Sequence, residues 1–133
     1  MQSIHDKFYD IYANMSKENT SSSLYDFLRI HALKRIKEVA LEYGATSFTY
    51  AQLIEQIDKT AYAFAKSGVS KGDIVTVCLP DIPAYIFTIY ALSKIGAIGG
   101  IVDRDESNSA LKEKLKNSKS KILVVEYGRL DDL

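Results

Sequence analysis

Apolar positions recur along this chain in two periods, one of about 3.6 residues and one of two, and the changes between them predict its elements. Ile4, Phe8, Ile11, Tyr12 and Met15 keep helical spacing and predict an amphipathic N-terminal helix with a polar face of mixed charge. Such a face suits packing against the body or a partner better than a membrane. SKENTSSS, residues 16–23, is a polar Ser-rich linker. Ser23 then opens SLYD, an N-cap with an acid three residues on. The helix it starts is expected to reach about Arg35, with Leu24, Phe27, Leu28 and Leu33 on one face.

The period then shortens. Val39, Leu41 and Tyr43 alternate with Ala40 and Glu42, GATS turns the chain, and FTY resumes, which predicts a β-hairpin. Thr49 and Gln52 have capping-box spacing, and Phe48 and Leu53 occupy the N′ and N4 places of a hydrophobic staple. Leu53, Ile57, Ala61 and Phe64 carry a helix down to Gly68, which suits a left-handed C′ position. After the KGD turn, IVTVCL (74–79) is a short, β-branched, apolar strand of the kind covered on both faces. Pro80 to Pro83 breaks it. Pro83 lies in the first turn of the next helix, where a missing N–H costs little, and Asp81 is a candidate cap. AYIFTIYALSKI is apolar nearly all round and should be central. The strand AIGGIV, the polar loop DRDESNS, the modest amphipathic helix 109–120 through Leu111 and Leu115, and the apolar strand KILVVEY (121–127) follow, and GRLDDL ends the sequence. Residues 73–126 thus read β-α-β-α-β, which predicts an α/β fold with a parallel, right-handed, doubly wound sheet.

KIGAIGGIVD places three glycines close together and raises the question of a phosphate loop. A phosphate loop follows a strand and precedes a helix, so that helix N-terminal N–H groups point at the anion. Here the order is reversed. Gly96 stands at a helix C-cap, where the partial charge is negative and repels phosphate. Gly99 and Gly100 fall within the strand, where missing side chains admit a neighbouring helix or ligand. The stretch reads as a seam between helix and strand.

Composition adds exclusions. Seventeen basic and seventeen acidic side chains cancel, so no broad nucleic-acid or anionic-membrane surface is expected. With 133 residues the chain suits one domain or a piece of a larger one. The longest apolar helical run is about half the length of a membrane span. No targeting segment is visible, because MQSIHDKFYD carries charges where a signal peptide needs an apolar region. The one cysteine, Cys78, cannot form an intrachain disulfide and sits in an apolar run as a core thiol would. His5, His31 and Cys78 are too scattered for a metal site. These features fit a soluble protein of the cytoplasm.

Three stretches taken together, SFTYAQL, GVSKGDIVTVCLPDIPAYIFTIYALSKIGAIGGIVD and KILVVEY, resemble the N-terminal segment of the AMP-forming acyl-CoA synthetases. Those enzymes belong to the adenylate-forming superfamily, with luciferases and peptide-synthetase adenylation domains. FTYAQL is similar to the first core motif of that family and LSKIGAIGGIVD to the second, and the SLYDFL helix sits where bacterial members carry a similar element. The resemblance covers about residues 23–127. It departs at Gln52, where Glu is common, and at Val102-Asp103-Arg104, where a proline is usual. What the resemblance implies is a carboxylate attacking the α-phosphate of Mg-ATP to give an acyl-adenylate and pyrophosphate, followed by transfer to coenzyme A. ATP, Mg2+ and coenzyme A are therefore cofactors expected of the parent enzyme, and a carboxylic acid its substrate.

The family's Ser/Thr/Gly-rich phosphate loop, its ribose-binding Asp motif, its hinge and its late catalytic Lys have no counterpart in these residues. No catalytic, cofactor-binding or metal residue is carried over. The expected organisation is a helix and linker over 1–22 and an N-terminal synthetase subdomain over 23–133, a fragment that is inert by itself, binds no cofactor and has the remainder of its own chain as partner. An exposed face is a possible dimer surface. The alternatives are a fragment of an amino-acid-activating adenylation enzyme, and a stand-alone α/β module that binds a partner protein. The general rule for open sheets puts ligands beyond the strand C-termini, which here carry Pro80, Asp81, Asp103, Arg104, Asp105, Glu126 and Tyr127. A metal or phosphate edge and a solvated loop with surface ion pairs both fit those residues. Lys112, Lys114, Lys116, Lys119 and Lys121 form a basic stretch that reads as a solvated helix face.

Overall fold

A computed structural model describes residues 23–133. The N-terminal helix and most of the Ser-rich linker expected from the sequence lie outside the described residues. Contacts divide the chain into two compact units, one ending at Gln56 and the other running from Ile57 to Leu133.

In the first unit, helix α1 spans Leu24–Lys34. Its start is the capping box expected from SLYD: the Asp26 N–H donates to Ser23 Oγ at 3.2 Å. The Ser23 N–H donates in return to Asp26 Oδ2 at 3.0 Å. The buried face is not the expected one. Leu24 and Phe27 are about half exposed, and Tyr25 and Ala32 are buried instead. Tyr25, Leu28 and Ala32 lie three and four residues apart and so form one stripe, which leaves Leu24 and Phe27 to the side of it. Strands β1 (Val39–Tyr43) and β2 (Thr46–Thr49) make the antiparallel hairpin, with Gly44 in the left-handed region at φ 57° in its turn. The turn is tighter than GATS suggested, since Thr46 and Ser47 already pair with Tyr43 and Glu42.

Helix α2, Tyr50–Lys66, starts on the second capping box. The Gln52 N–H donates to Thr49 Oγ1 at 3.2 Å and the Thr49 N–H to Gln52 Oε1 at 2.9 Å. It ends in a Schellman closure around Gly68, with Val69 N–H on the Phe64 carbonyl and Gly68 N–H on the Ala65 carbonyl, both at 3.0 Å.

The second unit is built on a three-stranded parallel sheet of order β4-β3-β5. The strands are β3 (Ile74–Cys78), β4 (Ile98–Ile101) and β5 (Ile122–Val125). The first strand in sequence is the middle one, and the chain winds to one side of it and then to the other, as a doubly wound sheet does. Val75 stands opposite Gly99 on one side and Ile122 on the other. Val75, Thr76, Val77 and Cys78 are all at most 3% exposed. Successive side chains point to opposite faces, so β3 is covered on both. On one face Val75, Val77 and Leu79 join Val69 and Leu92 in the core, with Phe64, Tyr85, Ile95, Ala97, Ile122 and Val124 packed around them.

Helix α3, Pro83–Ile95, begins with Pro83 in its first turn as expected, but its N-cap is Ile82 and no side chain caps it, so Asp81 does not serve. Extending the helix to include Pro83 moves the cap one residue past the acid. Gly96 closes α3 in the left-handed region at φ 82°, its N–H on the Leu92 carbonyl at 3.0 Å. Helix α4, Asn108–Ser118, is capped by Ser107, whose Oγ accepts from the Ala110 N–H at 3.2 Å. β5 is shorter than the sequence pattern, and a 3-10 helix, Tyr127–Asp132, follows it.

Candidate functional site

The parallel strands present two edges. At the N-terminal edge Asp73 precedes β3. Its Oδ2 accepts from the Ser70 N–H at 2.8 Å, from Ser70 Oγ at 3.1 Å and from Lys121 Nζ at 3.1 Å. The Ser70 N–H, followed by Lys121 and the Ser70 hydroxyl, holds the Asp73 carboxyl below the usual carboxylate range. Lys121 also donates to the Gly68 carbonyl at 2.8 Å. The glycine seam belongs to this edge too, because Gly72 N–H donates to the Gly96 carbonyl at 2.9 Å. Gly96 therefore sits where a helix ends and offers a phosphate no helix N-terminus. A Cβ added at Gly99 would meet Leu92 Cδ1 at 3.5 Å, ordinary contact, so close approach of a helix does not require glycine there.

At the C-terminal edge, where the open-sheet rule puts ligands, the sequence-derived residues divide. Asp103 turns the chain by accepting the Asp105 N–H on Oδ1 at 2.9 Å, and its carbonyl lies 3.4 Å from Cys78 Sγ, which donates to it. Arg104 Nε lies 3.6 Å from Asp105 Oδ1 with side chains 55% and 84% exposed, a surface ion pair of small worth. Glu126 and Tyr127 are exposed. Among the described residues no three His, Cys, Asp or Glu side chains gather as a metal would need. In the basic stretch, Lys114 is tied to Glu106 and Lys121 to Asp73.

The residue that organises this edge is Arg129, which sequence reasoning did not single out. From the 3-10 helix its guanidinium donates to Asn108 Oδ1 at 2.9 Å, the Arg104 carbonyl at 2.8 Å, Cys78 Sγ at 3.1 Å and the Glu106 carbonyl. Asn108 answers with its Nδ2 on the Asp132 carbonyl at 3.3 Å. A fork of fixed N–H donors suits this task as a lysine would not. The only signal in the sequence was an arginine soon after an apolar strand, and that does not say what it faces.

A parallel sheet wound both ways from its first strand, with helical crossovers between its strands, is an open α/β scaffold of the doubly wound type. Comparison with known proteins is more specific. The model of the AMP-binding enzyme family matches residues 28–132, and the chain belongs to that family. It is similar to the acetyl-coenzyme A synthetase of Emericella nidulans, at 32% identity over 71% of this chain and 15% of that protein. It is similar also to acetyl-coenzyme A synthetase 1 of Kluyveromyces lactis, at 34% identity over 77% of this chain and 16% of that protein. The chain thus spans about one sixth of the length of these relatives. Among solved structures, the N-terminal subdomain of Klebsiella oxytoca NpsA superposes with a TM-score of 0.76 at 23% identity, over 84% of this chain and 29% of that one. The same subdomain in complex with 3-hydroxyanthranilyl-AMSN gives 0.73 at 25% identity, over 79% of this chain and 27% of that one. The fold of residues 23–133 is that of a part of such N-terminal subdomains, under a third of their length.

Proposed function

We propose that this chain is an N-terminal fragment of an ATP-dependent acyl-CoA synthetase that converts a carboxylate and ATP to an acyl-adenylate and pyrophosphate and then passes the acyl group to coenzyme A. The observation that carries this reading is the likeness to acetyl-coenzyme A synthetases, at 32–35% identity over about 100 residues. The division into residues 1–22, a leading segment, and 23–133, the subdomain, is part of the same reading.

ATP, Mg2+ and coenzyme A belong to the parent enzyme in this proposal. In this reading the cradle for them is supplied by other sequence of the parent. The glycines lie past a helix C-terminus, and the acids of the C-terminal edge turn loops or pair at the surface. No step of the reaction is therefore assigned to a residue of this chain, whose part is to carry the sheet on which other sequence is mounted. The single buried thiol of Cys78 suits the reducing cytoplasm.

A second reading, an enzyme that activates an amino acid for a carrier protein, draws on the likeness to an artificially fused adenylation–carrier di-domain built from Klebsiella oxytoca NpsA, at 25% identity. The lower identity favours the first reading. One experiment separates them. The native polypeptide is captured from its source cells with an antibody against residues 23–133, sized by intact mass, and assayed for ATP–pyrophosphate exchange. A product several times longer than this chain, with exchange that depends on acetate or another short carboxylate, is expected. Exchange that depends only on amino acids establishes the second reading, and a native product of the size of this chain with no exchange overturns both.

A further inference from the structure

The C-terminal edge holds a feature that the proposed activity does not use. The loop after β4 exposes Asp103, Arg104 and Asp105, and the 3-10 helix exposes Tyr127, Gly128, Leu130 and Asp131. Neither segment contributes a buried apolar residue to the core. Within residues 23–133 little hydrophobic burial therefore holds them in place. What joins them is the set of Arg129 bonds to the Arg104 and Glu106 carbonyls and to Asn108, returned by Asn108 to the Asp132 carbonyl. Beneath them lies Cys78, 1% exposed, in contact with both: its Sγ donates to the Asp103 carbonyl and accepts from Arg129.

We propose that Arg129 is the fastener of a local opening unit, in which loop 103–107 and residues 126–132 detach together, without global unfolding, and uncover the Cys78 thiol. Segments with few apolar contacts open at free energies below the global value, and shared hydrogen bonds make them open as one. A guanidinium with four partners on three stretches of chain couples them: losing it frees both segments at once and leaves the β3–β4 and β3–β5 pairing intact. The inference rests on this geometry alone and stands whether or not the proposed activity is found.

The test uses the one cysteine of the chain as its own reporter. Cys78 is labelled with an aromatic disulfide reagent under native conditions and in rising sub-denaturing urea, and amide exchange is followed in parallel. Charged hydrogen bonds are involved, so Arg129→Ala is expected to raise the native labelling rate by roughly tenfold or more. Its urea dependence should be much shallower than that of global unfolding. Arg129→Lys, which keeps the charge and loses the fork, should fall between, and Asn108→Ala should also accelerate labelling. Tyr127→Ala, a change at an exposed side chain of the same 3-10 helix, should leave the rate unchanged. The amides of Glu106 and Arg129 should exchange faster together, and those of Val75 and Val77 should not. If Arg129→Ala does not fold, Arg129→Lys and Asn108→Ala carry the test. Labelling of the folded variants at the wild-type rate, or labelling that follows the urea slope of global unfolding in every protein, overturns the proposal.

Discussion

Asp73 shows how a single side chain can set the start of a strand. It accepts from Ser70 within its own turn and from Lys121 beyond it. Because its folded pKa is depressed, its stabilising effect is present above the pKa of the unfolded chain and is lost as pH falls through the folded value. Asp73→Asn should therefore be less stable than wild type at about pH 7, with the gap closing below the ordinary carboxylate range near pH 3.9. Urea unfolding over a pH series measures this, and a gap as wide at about pH 2.5 as at neutrality would show that the charge is not responsible. Residues whose partners are near in sequence were legible in this way. Both capping boxes follow from a three-residue spacing. Arg129 was not legible, because its partners lie 21 to 51 residues away and only the fold brings them together.

At the scale of elements the glycine seam makes a contrast that can be measured. Gly96 has φ 82°, and a Cβ there would meet Lys71 Cγ at 3.1 Å. The lysine side chain can give way; the backbone conformation cannot. Gly96→Ala should cost about 1–2 kcal/mol. Gly99 has no positive φ and ordinary room for a Cβ. Gly99→Ala in strand β4 should stabilise by about 0.5–1 kcal/mol. Equal destabilisation by both, measured by chemical denaturation, would mean that the strand glycine is needed for a reason other than conformation. The α-helices and strands of the described residues were read correctly from period, whereas the 3-10 helix Tyr127–Asp132 was not foreseen and several element ends moved. The strand expected from KILVVEY runs to Tyr127, but β5 stops at Val125, where its partner is Cys78, the last residue of β3. A strand cannot outrun the neighbour it pairs with, and that neighbour is not written in its own sequence.

Over the whole second unit, burial centres on the middle strand. Val77 is 0% exposed, whereas Ile98 on the edge strand is 54% exposed. Val77→Ala should cost about 2 kcal/mol, from two lost methyl groups and a cavity that closes only in part. Ile98→Ala should cost under about 1 kcal/mol. Similar losses in urea would contradict the placement of the core. This level was legible because alternating strands and helices allow few arrangements. The face of α1 was not, because its apolar residues cover more than one stripe and packing chose among them. Of the candidate edge, only its place beyond the strand C-termini was legible; the surface pairing of Arg104 with Asp105 and the bonds of Arg129 emerge from the fold.

The strand order β4-β3-β5 has a consequence during synthesis. The strand that ends in the middle is made first, and its two neighbours emerge later. At roughly 5–20 residues per second, β3 is complete for several seconds before β5 exists to flank it. Until β4 is made this β-branched apolar segment has both edges open, and until β5 is made it has one, which is the condition for pairing with the wrong chain. Asp73 before it, and Pro80 and Asp81 after it, place charge and a missing N–H at its two ends. Charge and a missing N–H at the ends of an apolar strand are features that oppose such mispairing.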